Sequence, residues 1–545
     1  MTKTQWRQDA AVVRPKRGGG NGRGPDAEAQ QPIFAAGPAI PPEQQAAHVA
    51  RLNTIKDPGH FTYKVPGLLA WLALGIAILG AVLAPRVLVI AAQVAGVYMI
   101  LRLLVIIIFY PIGIRKIQQA EQHARGQRGR TRGAAAGLHH VILLPNLHEP
   151  VEVLARTLRS LAGQADARSH VTVVLAMEGA EAGAHAKAEL LRTRFEGYFA
   201  HVLISIHPAD LPGESRGKSS NQAWAARVAY RELVERAGIP LENLTLTSCD
   251  ADSVLHTDYL AEIGRQFVAD PERYTCVWHA PMRHINNHWN VPSPVRLLSF
   301  FFNLVQVSEL TDPLSVKLPV SSFTLSFKLA NSVGYWDVFA LADDWNMFLR
   351  CTFGTQGRVR LRPVFLPTTG DAVTGANLWQ ALANFYRQRL RHAWGCQDVG
   401  YVLQQWGRWP EMPLGRKSLY LFKVVHDHVV FTTAGLIIGV GSVVLFLENG
   451  LLGVVQPIPG LYSILFQAGN IVNAVAISAE VLYEHLSTRR ASGGWRPRKL
   501  LTDILLWPLV PVLTMLLVAL PTIQAQTKML FGAHLHFEVT PKQVD

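Results

Sequence analysis

Two aspartates one residue apart close a β-branched run in "NLTLTSCDADS" (243–253), and two adjacent ones open a helix-like stretch in "LADDWNMFLR" (341–350). Paired carboxylates such as Asp250 and Asp252 at a strand end can face a common Mg²⁺ or Mn²⁺. Such an ion prefers oxygen, keeps several waters and takes its remaining ligands from a diphosphate. Asp343 and Asp344 open a helix, where acids suit its positive end. The plain alternative for the first pair is a solvated turn.

A third stretch, "LPGESRGKSSNQAW" (211–224), has the look of a phosphate-binding loop. A Walker loop needs four residues between its first glycine and the Gly-Lys pair, so that consecutive N–H groups wrap a phosphate. Gly213 and Gly217 have only three between them. A shortened loop can still bind an anion at a helix start, and the nucleotide-hydrolase reading stays open on these residues alone. In "NFYRQRLRHAWG" (384–395), Gln388 and Arg391 are spaced for one helix face, and "LHFEVTPK" (535–542) reads as a strand. His534 and His536 would share one side of that strand without a third ligand, which is too few for zinc.

The elements that must position these residues follow a βαβ rhythm. "HHVILLP", a helix over 150–163, "HVTVVLAME", a helix over 182–199, "HVLISIHP", a helix over 219–237 and "NLTLTSCDADS" succeed one another. That pattern predicts an open, mostly parallel sheet, whose ligands sit at the carboxyl ends of the strands. Those ends carry Asn146 and Glu149, then Glu178, then the 211–221 loop, then Asp250 and Asp252.

The chain has 545 residues, a formal charge of +13 and 49% hydrophobic content, with a pI near 9.7. Basic and apolar together indicate a membrane protein. Apolar runs at 65–84, 87–110, 429–447 and 461–483 are each long enough to cross a bilayer. A fifth, 501–522, is interrupted by Pro508, Pro511 and Pro521 and reads as re-entrant or interfacial. The run "GIRKIQQAEQHARGQRGRTRG" holds six Lys or Arg and one acid, which places it and the central region in the cytoplasm and favours lipid headgroups over nucleic acid as its neighbour. Arg102, near the end of its span, is expected to snorkel. His426-Asp427-His428 reads as an interfacial polar cluster, and no buried charge network of the kind a pump requires is evident. Four scattered cysteines encode neither disulfides nor a zinc ribbon. The segment 296–310 suits either the bilayer surface or a helix buried beneath the site.

In this order, the stretches resemble the membrane-embedded, inverting family 2 glycosyltransferases, the group of cellulose and hyaluronan synthases. The resemblance covers about 140–400 and the C-terminal motif. It implies an α/β fold of GT-A type, a Rossmann-like, mostly parallel sheet inserted between transmembrane helices. It divides the chain into a disordered cytoplasmic tail (1–60), a transmembrane hairpin (61–111), a basic linker (112–135), the catalytic domain (136–400) and an interfacial helix region (401–428). A second hairpin (429–483), a basic loop (484–500), the ambiguous segment (501–530) and a gating-loop-like motif (531–545) complete it.

The resemblance further implies a multi-pass inner-membrane enzyme that uses Mg²⁺ or Mn²⁺ on Asp250 and Asp252. Asp344 would be its base, with Asp343 alongside. A nucleotide-sugar donor, a UDP-sugar ahead of a GDP-sugar, would be bound by Asn146, Glu149, Glu178, Lys218, Asn221, Asp250, Gln388, Arg391, Phe537, Val539, Thr540 and Lys542. The acceptor, a lipid or a saccharide, would meet His392 and Trp394. Two departures from the family pattern stand out: Ala342-Asp343-Asp344 replaces Thr-Glu-Asp, and His392 stands where a tryptophan stacks on the acceptor sugar. The second favours a lipid or short-chain acceptor over a processive polysaccharide synthase. A transporter with a nucleotide-sensing domain is the alternative of another class.

Overall fold

The computed structural model describes residues 42–533 other than 58, 128–136, 216, 448–477, 479–481 and 483–496. Of the tail expected to be disordered (1–60), residues 1–41 lie outside the described residues, and 42–60 are ordered except at 58, which is not described. Helix α1 (Pro42–Leu52) docks on the sheet domain, with Leu52 fully buried and the Arg51 guanidinium 4.1 Å from the Trp409 ring. Val49 packs on Gly334, whose φ of +75° and lack of a Cβ are both required there. A short apolar face that finds partners far along the chain leaves no local periodicity to read.

Helices α2 (Phe61–Leu83) and α3 (Pro85–Gln127) form the expected hairpin through Ala84. The expected basic linker is not a linker up to Gln127: α3 continues through it for 43 residues in all. Lys, Arg, Gln and Ala are good helix formers, and Ala120 and Ala124 rest against the core of the sheet domain.

The sheet domain is built on β1 (His139–Asn146), β2 (Val171–Glu178), β3 (His201–His207), β4 (Leu244–Ser248), β5 (Cys276–His279), β6 (Met282–His284), β7 (Phe323–Ser326), β8 (Arg360–Pro363) and β9 (Thr368–Gly370). Seven form one sheet in the order β3-β2-β1-β4-β7-β5-β8, and β6 pairs with β9. Strands β1 to β4 are mutually parallel, while β7 runs antiparallel to both neighbours. Every residue of β1, β2 and β4 is buried, which is why these strands read as continuous apolar or β-branched runs.

Helices α4 (Val151–Ala162), α5 (Ala184–Arg194), α6 (Lys218–Tyr230), α7 (Tyr259–Ala269), α8 (Ser293–Thr311), α9 (Asp344–Gly354), α10 (Leu378–Ala393) and α11 (Gln397–Arg408) surround the sheets. Helix α8, which contains 296–310, is buried between the domain and α3. Phe300, Leu304 and Val307 pack on Tyr110 and Ile114, and a Cβ on Gly113 would collide with Val307.

Two more long helices follow, α12 (Leu414–Val444) and α13 (Arg498–Leu530). With α2 and α3 they make four helices, among the described residues, long and apolar enough to cross a membrane. From Leu414 on, the expected interfacial region runs without a break into the span at 429. The expected span 461–483 lies almost wholly outside the described residues, as does the basic loop 484–500 up to residue 496. In α13, expected to be re-entrant or interfacial, the prolines do not break the helix. Pro508, Pro511 and Pro521 each occupy the first or second position of a helical piece, where the missing N–H costs least. Buried Arg296 in α8 grips Asp503 in α13 with two bonds of 2.7 Å.

Arg102 does not simply snorkel. It lies 3.5 Å from Glu309, which also accepts from Lys423 at 3.2 Å. Lys423 reaches Asp427 at 2.8 Å, and Asp427 meets His426 at 2.5 Å. Tyr98 completes the chain through His426. A charge network therefore joins α3, α8 and α12, where the sequence suggested none, because its members are scattered over more than 300 residues. All four cysteines are free and buried.

Candidate active site

The site is assembled at the carboxyl ends of β2, β3 and β4. Lys218, the first residue of α6, donates to Asp250 Oδ1 at 2.6 Å and to Asp343 Oδ2 at 2.7 Å. Burial alone would lower its pKa, but the two carboxylates raise it above the ordinary lysine value. Lys218 therefore carries a fixed positive charge between the end of β4 and the start of α9.

Ser321, just before β7, supplies a second tie. Its Oγ donates to Asp250 Oδ2 at 2.5 Å and its backbone N–H to Asp344 Oδ2 at 3.0 Å. The residue has a φ of +65°, an uncommon conformation for a side chain with a Cβ and one that persists where surrounding contacts fix it. Asp344 Oδ1 also accepts from its neighbour's N–H, that of Trp345, at 2.8 Å. Burial, with the charge of Asp343 added, pushes the Asp344 carboxyl up to about 6. Asp343 is raised as well, by burial first and against the pull of Lys218.

Asp252 is buried, and its Oδ2 accepts from the Asp371 N–H at 3.3 Å. Asp371 is paired with Arg156 at 2.6 Å. Arg391, on α10, lies within electrostatic reach of Asp250, Glu149, Asp252 and Asp343. Burial lowers its pKa and those carboxylates oppose the shift. Gln388 is half-buried one turn earlier on the same helix. The structure thus brings together Lys218, Asp250, Asp343 and Asp344, with Asp252, Glu149 and Arg391 close by.

Other expected residues stand elsewhere or do other things. Glu178 is buried and bonded to His207 Nδ1 at 3.1 Å, and His207 Nε2 reaches Glu214 at the same distance. Burial opposes protonation of this imidazole, yet the two carboxylates raise it to about 9. The following Gly179 is required, because a Cβ there would lie 2.8 Å from the His207 carbonyl. Asn146 donates to Glu181 Oε2 at 2.9 Å. Glu149 Oε2 accepts from the Leu147 N–H at 2.7 Å.

Asn221 is buried and donates to the Ala176 carbonyl at 2.8 Å, so it fastens α6 to β2 instead of opening onto the pocket. Trp394 is withdrawn into a cluster with Tyr63, Cys396 and Met529 and offers no free stacking face, whereas His392 is exposed. Phe537, Val539, Thr540, Lys542 and the His534/His536 pair lie outside the described residues.

Three contributors carry no sequence signal. Ser321 and Asp371 sit in ordinary loops, and Asp398, on α11, is fully buried. Its Oδ1 accepts from Asn346 Nδ2 at 3.2 Å. Burial first, then the Asp344 charge, pushes its carboxyl well above the usual range, against the hydrogen bond from Asn346.

Residues 246–522 match the family described as "Glycosyl transferase family group 2". That is just over half of the chain, and the protein belongs to this family. Its parallel sheet with one antiparallel strand is a GT-A-type fold, flanked by candidate membrane helices. Among solved structures, the chain is similar to the mannosyltransferase PcManGT from Pyrobaculum calidifontis in complex with GDP-Man and Mn²⁺. Identity is 15%, coverage is 75% of this chain and 99% of that one, and the TM-score is 0.39. It is also similar to S. aureus TarS 1–349 in complex with UDP-GlcNAc, at 12% identity, 73% and 94% coverage and a TM-score of 0.33. Likenesses this weak say nothing further about the site. No curated protein matches the chain.

Proposed function

We propose that this glycosyltransferase is an inverting, membrane-bound enzyme. It moves a sugar from a nucleotide diphosphate donor to a lipid-linked or saccharide acceptor at the cytoplasmic membrane face. The carrying observation is the union of Asp250, Asp343 and Asp344 through Lys218 and Ser321. In this reading the donor diphosphate lies over Asp250 and Asp252, with Lys218 and Arg391 supplying positive charge as the glycosidic bond breaks. The diphosphate departs with the bonding electrons. An acceptor hydroxyl attacks the anomeric carbon from the opposite side and gives its proton to Asp344, which inverts the configuration. A half-buried base with a pKa of about 6 is ionised at neutral pH and still basic enough to take that proton.

Asp250 and Asp252 fit a divalent ion: both are hard oxygen donors, one residue apart, at the end of β4. Among the described residues no third His, Cys, Asp or Glu joins them in a ready ligand cluster, so further ligands would come from diphosphate and water. Mg²⁺ or Mn²⁺ held there would neutralise charge on the leaving group. A UDP-sugar remains the preferred donor reading over a GDP-sugar. The withdrawn Trp394 and exposed His392 favour a lipid or short-chain acceptor over a processive polymer.

Replacing Asp344 with Asn tests the assignment. Binding of UDP or GDP should persist while transfer of radiolabelled sugar, screened across nucleotide sugars with Mn²⁺ or Mg²⁺, is lost. Incorporation at the native rate would overturn the role of Asp344 as base.

A further inference from the structure

His207, the last residue of β3, is held from both sides. Its Nδ1 lies 3.1 Å from Glu178 Oε2 and its Nε2 lies 3.1 Å from Glu214 Oε2. A neutral imidazole carries one N–H and cannot donate to two acceptors, and an ionised carboxylate donates nothing. Two bonds from one ring to two carboxylates therefore mark an imidazolium. The ring is 3% exposed and the Glu178 side chain 8%, so this charge is held away from bulk water. Glu178 Oε1 is buried without a hydrogen-bond partner, and among the described residues no other cation pairs with Glu178. On α6, Trp224 meets the ring edge-on with centroids 5.9 Å apart, and Arg227 lies within electrostatic reach of Glu214.

The two glutamates belong to different parts of the site. Glu178 ends β2, whereas Glu214 sits in the loop that leaves β3 at Pro208 and enters α6. That loop is pinned elsewhere by Lys56 Nζ, which donates to the Gly213 carbonyl at 2.6 Å. The Ser215 N–H donates to the Val338 carbonyl at 2.9 Å, and Ser220 Oγ to the Ser215 carbonyl at 2.8 Å. Four residues after Glu214 comes Lys218, whose Nζ bridges Asp250 and Asp343. The two serine ties are neutral and do not change with pH. The tie to Glu214 exists in this form only while the ring keeps both protons. Once one is lost, a carboxylate is left without its donor, and a buried carboxylate so exposed to loss is costly. Glu214, the more accessible of the two at 19%, is the one that can turn to water and release the loop.

Building on the glycosyltransferase reading, we infer that His207 is a positioning residue for donor binding: as an imidazolium it staples the end of β2 to the loop before α6, and so holds Lys218 between the carboxylates that meet the donor diphosphate.

The test uses the full-length protein in detergent. UDP and GDP binding is followed by titration calorimetry from neutral pH to about pH 10, the range that brackets the ring's raised pKa. The ring itself is followed in histidine-selective nitrogen NMR spectra, as the resonance missing in His207→Gln. Burial opposes protonation, yet the two carboxylates raise the ring to about 9. In wild type the ring should titrate there, and nucleotide affinity should fall about tenfold per pH unit above it. Lys218, held above the ordinary lysine value, adds no limb in this range. Glu214→Gln removes one of the charges that raise the ring, so the ring titration and the affinity limb should both move toward neutral pH. His207→Gln keeps one N–H donor and should bind nucleotide about tenfold more weakly at neutral pH, the worth of a charge-assisted hydrogen bond, with no limb above it. A ring that titrates at the ordinary histidine value, a limb that Glu214→Gln leaves in place, or wild-type affinity that stays flat above the ring's titration overturns the inference. Absence of UDP and GDP binding at every pH, with the ring titrating near 9 and moving in Glu214→Gln, would defeat the donor reading and leave the staple standing.

Discussion

Lys218 Nζ and Asp343 Oδ2 stand 2.7 Å apart, joining the loop after β3 to the start of α9. This pair sets the charge felt by Asp344, which Asp343 makes more basic and Lys218 less so.

The acid limb of the pH profile follows from that balance. Asp344 must be ionised to accept a proton, and its pKa is raised to about 6. Hence kcat/KM should fall about tenfold per pH unit below that value. Asp343→Asn removes the neighbouring negative charge and should move the limb to lower pH. The same shift makes folding stability decline as pH rises through the window between the ordinary aspartate value and about 6, since the folded state there binds the extra proton. A wild-type limb near the ordinary value, or one that Asp343→Asn leaves in place, would contradict the assignment.

Ser321 links two carboxylates by different groups, and substitutions can separate them. Ser321→Gly keeps the N–H to Asp344 and suits the φ of +65°, losing only the hydroxyl on Asp250. Ser321→Ala loses the same hydroxyl and keeps the backbone strain. Both should weaken UDP binding by about tenfold, the worth of a hydrogen bond to a charged group. Ser321→Gly should nevertheless match or exceed Ser321→Ala in melting temperature. Titration calorimetry and thermal melts read the two effects independently.

The Arg296–Asp503 clasp should be costly to break from one side. Asp503→Ala leaves a buried guanidinium unpaired and should destabilise the protein by about 3–5 kcal/mol, whereas an apolar replacement of both partners should recover most of that. Unfolding in detergent, compared across the two single variants and the double, checks this. Additive losses would show that the residues do not act as a pair.

The parallel half of the sheet was legible because β1 to β4 are apolar on both faces and separated by helices of ordinary length. The remainder was not. Strands β5, β7 and β8 span only four residues each, too few for alternation to register. Asp250, Asp252, Asp343, Asp344 and Lys218 were readable by residue type and spacing. Ser321 and Asp398 act through backbone geometry and depth, which no spacing encodes. Glu178 and Asn221 were placed at the correct strand ends, but their partners, His207 and the Ala176 carbonyl, lie 29 and 45 residues away. The docking of α1 and the Arg102–Glu309 network likewise depend on long-range encounters.

Helix α3 runs from the apolar segment at Pro85 to Gln127 as one continuous helix, with Ala120 and Ala124 resting against the core of the sheet domain. Beyond Pro111 it rises roughly 25 Å, at ~1.5 Å per residue. With the apolar half of α3 in a bilayer, the altitude of the reaction centre over the lipid surface would be fixed by a strut rather than by a tether. Local bilayer thickness and lipid order would act on that strut as mechanical inputs, tuning how deeply a lipid-borne acceptor must climb to meet its donor.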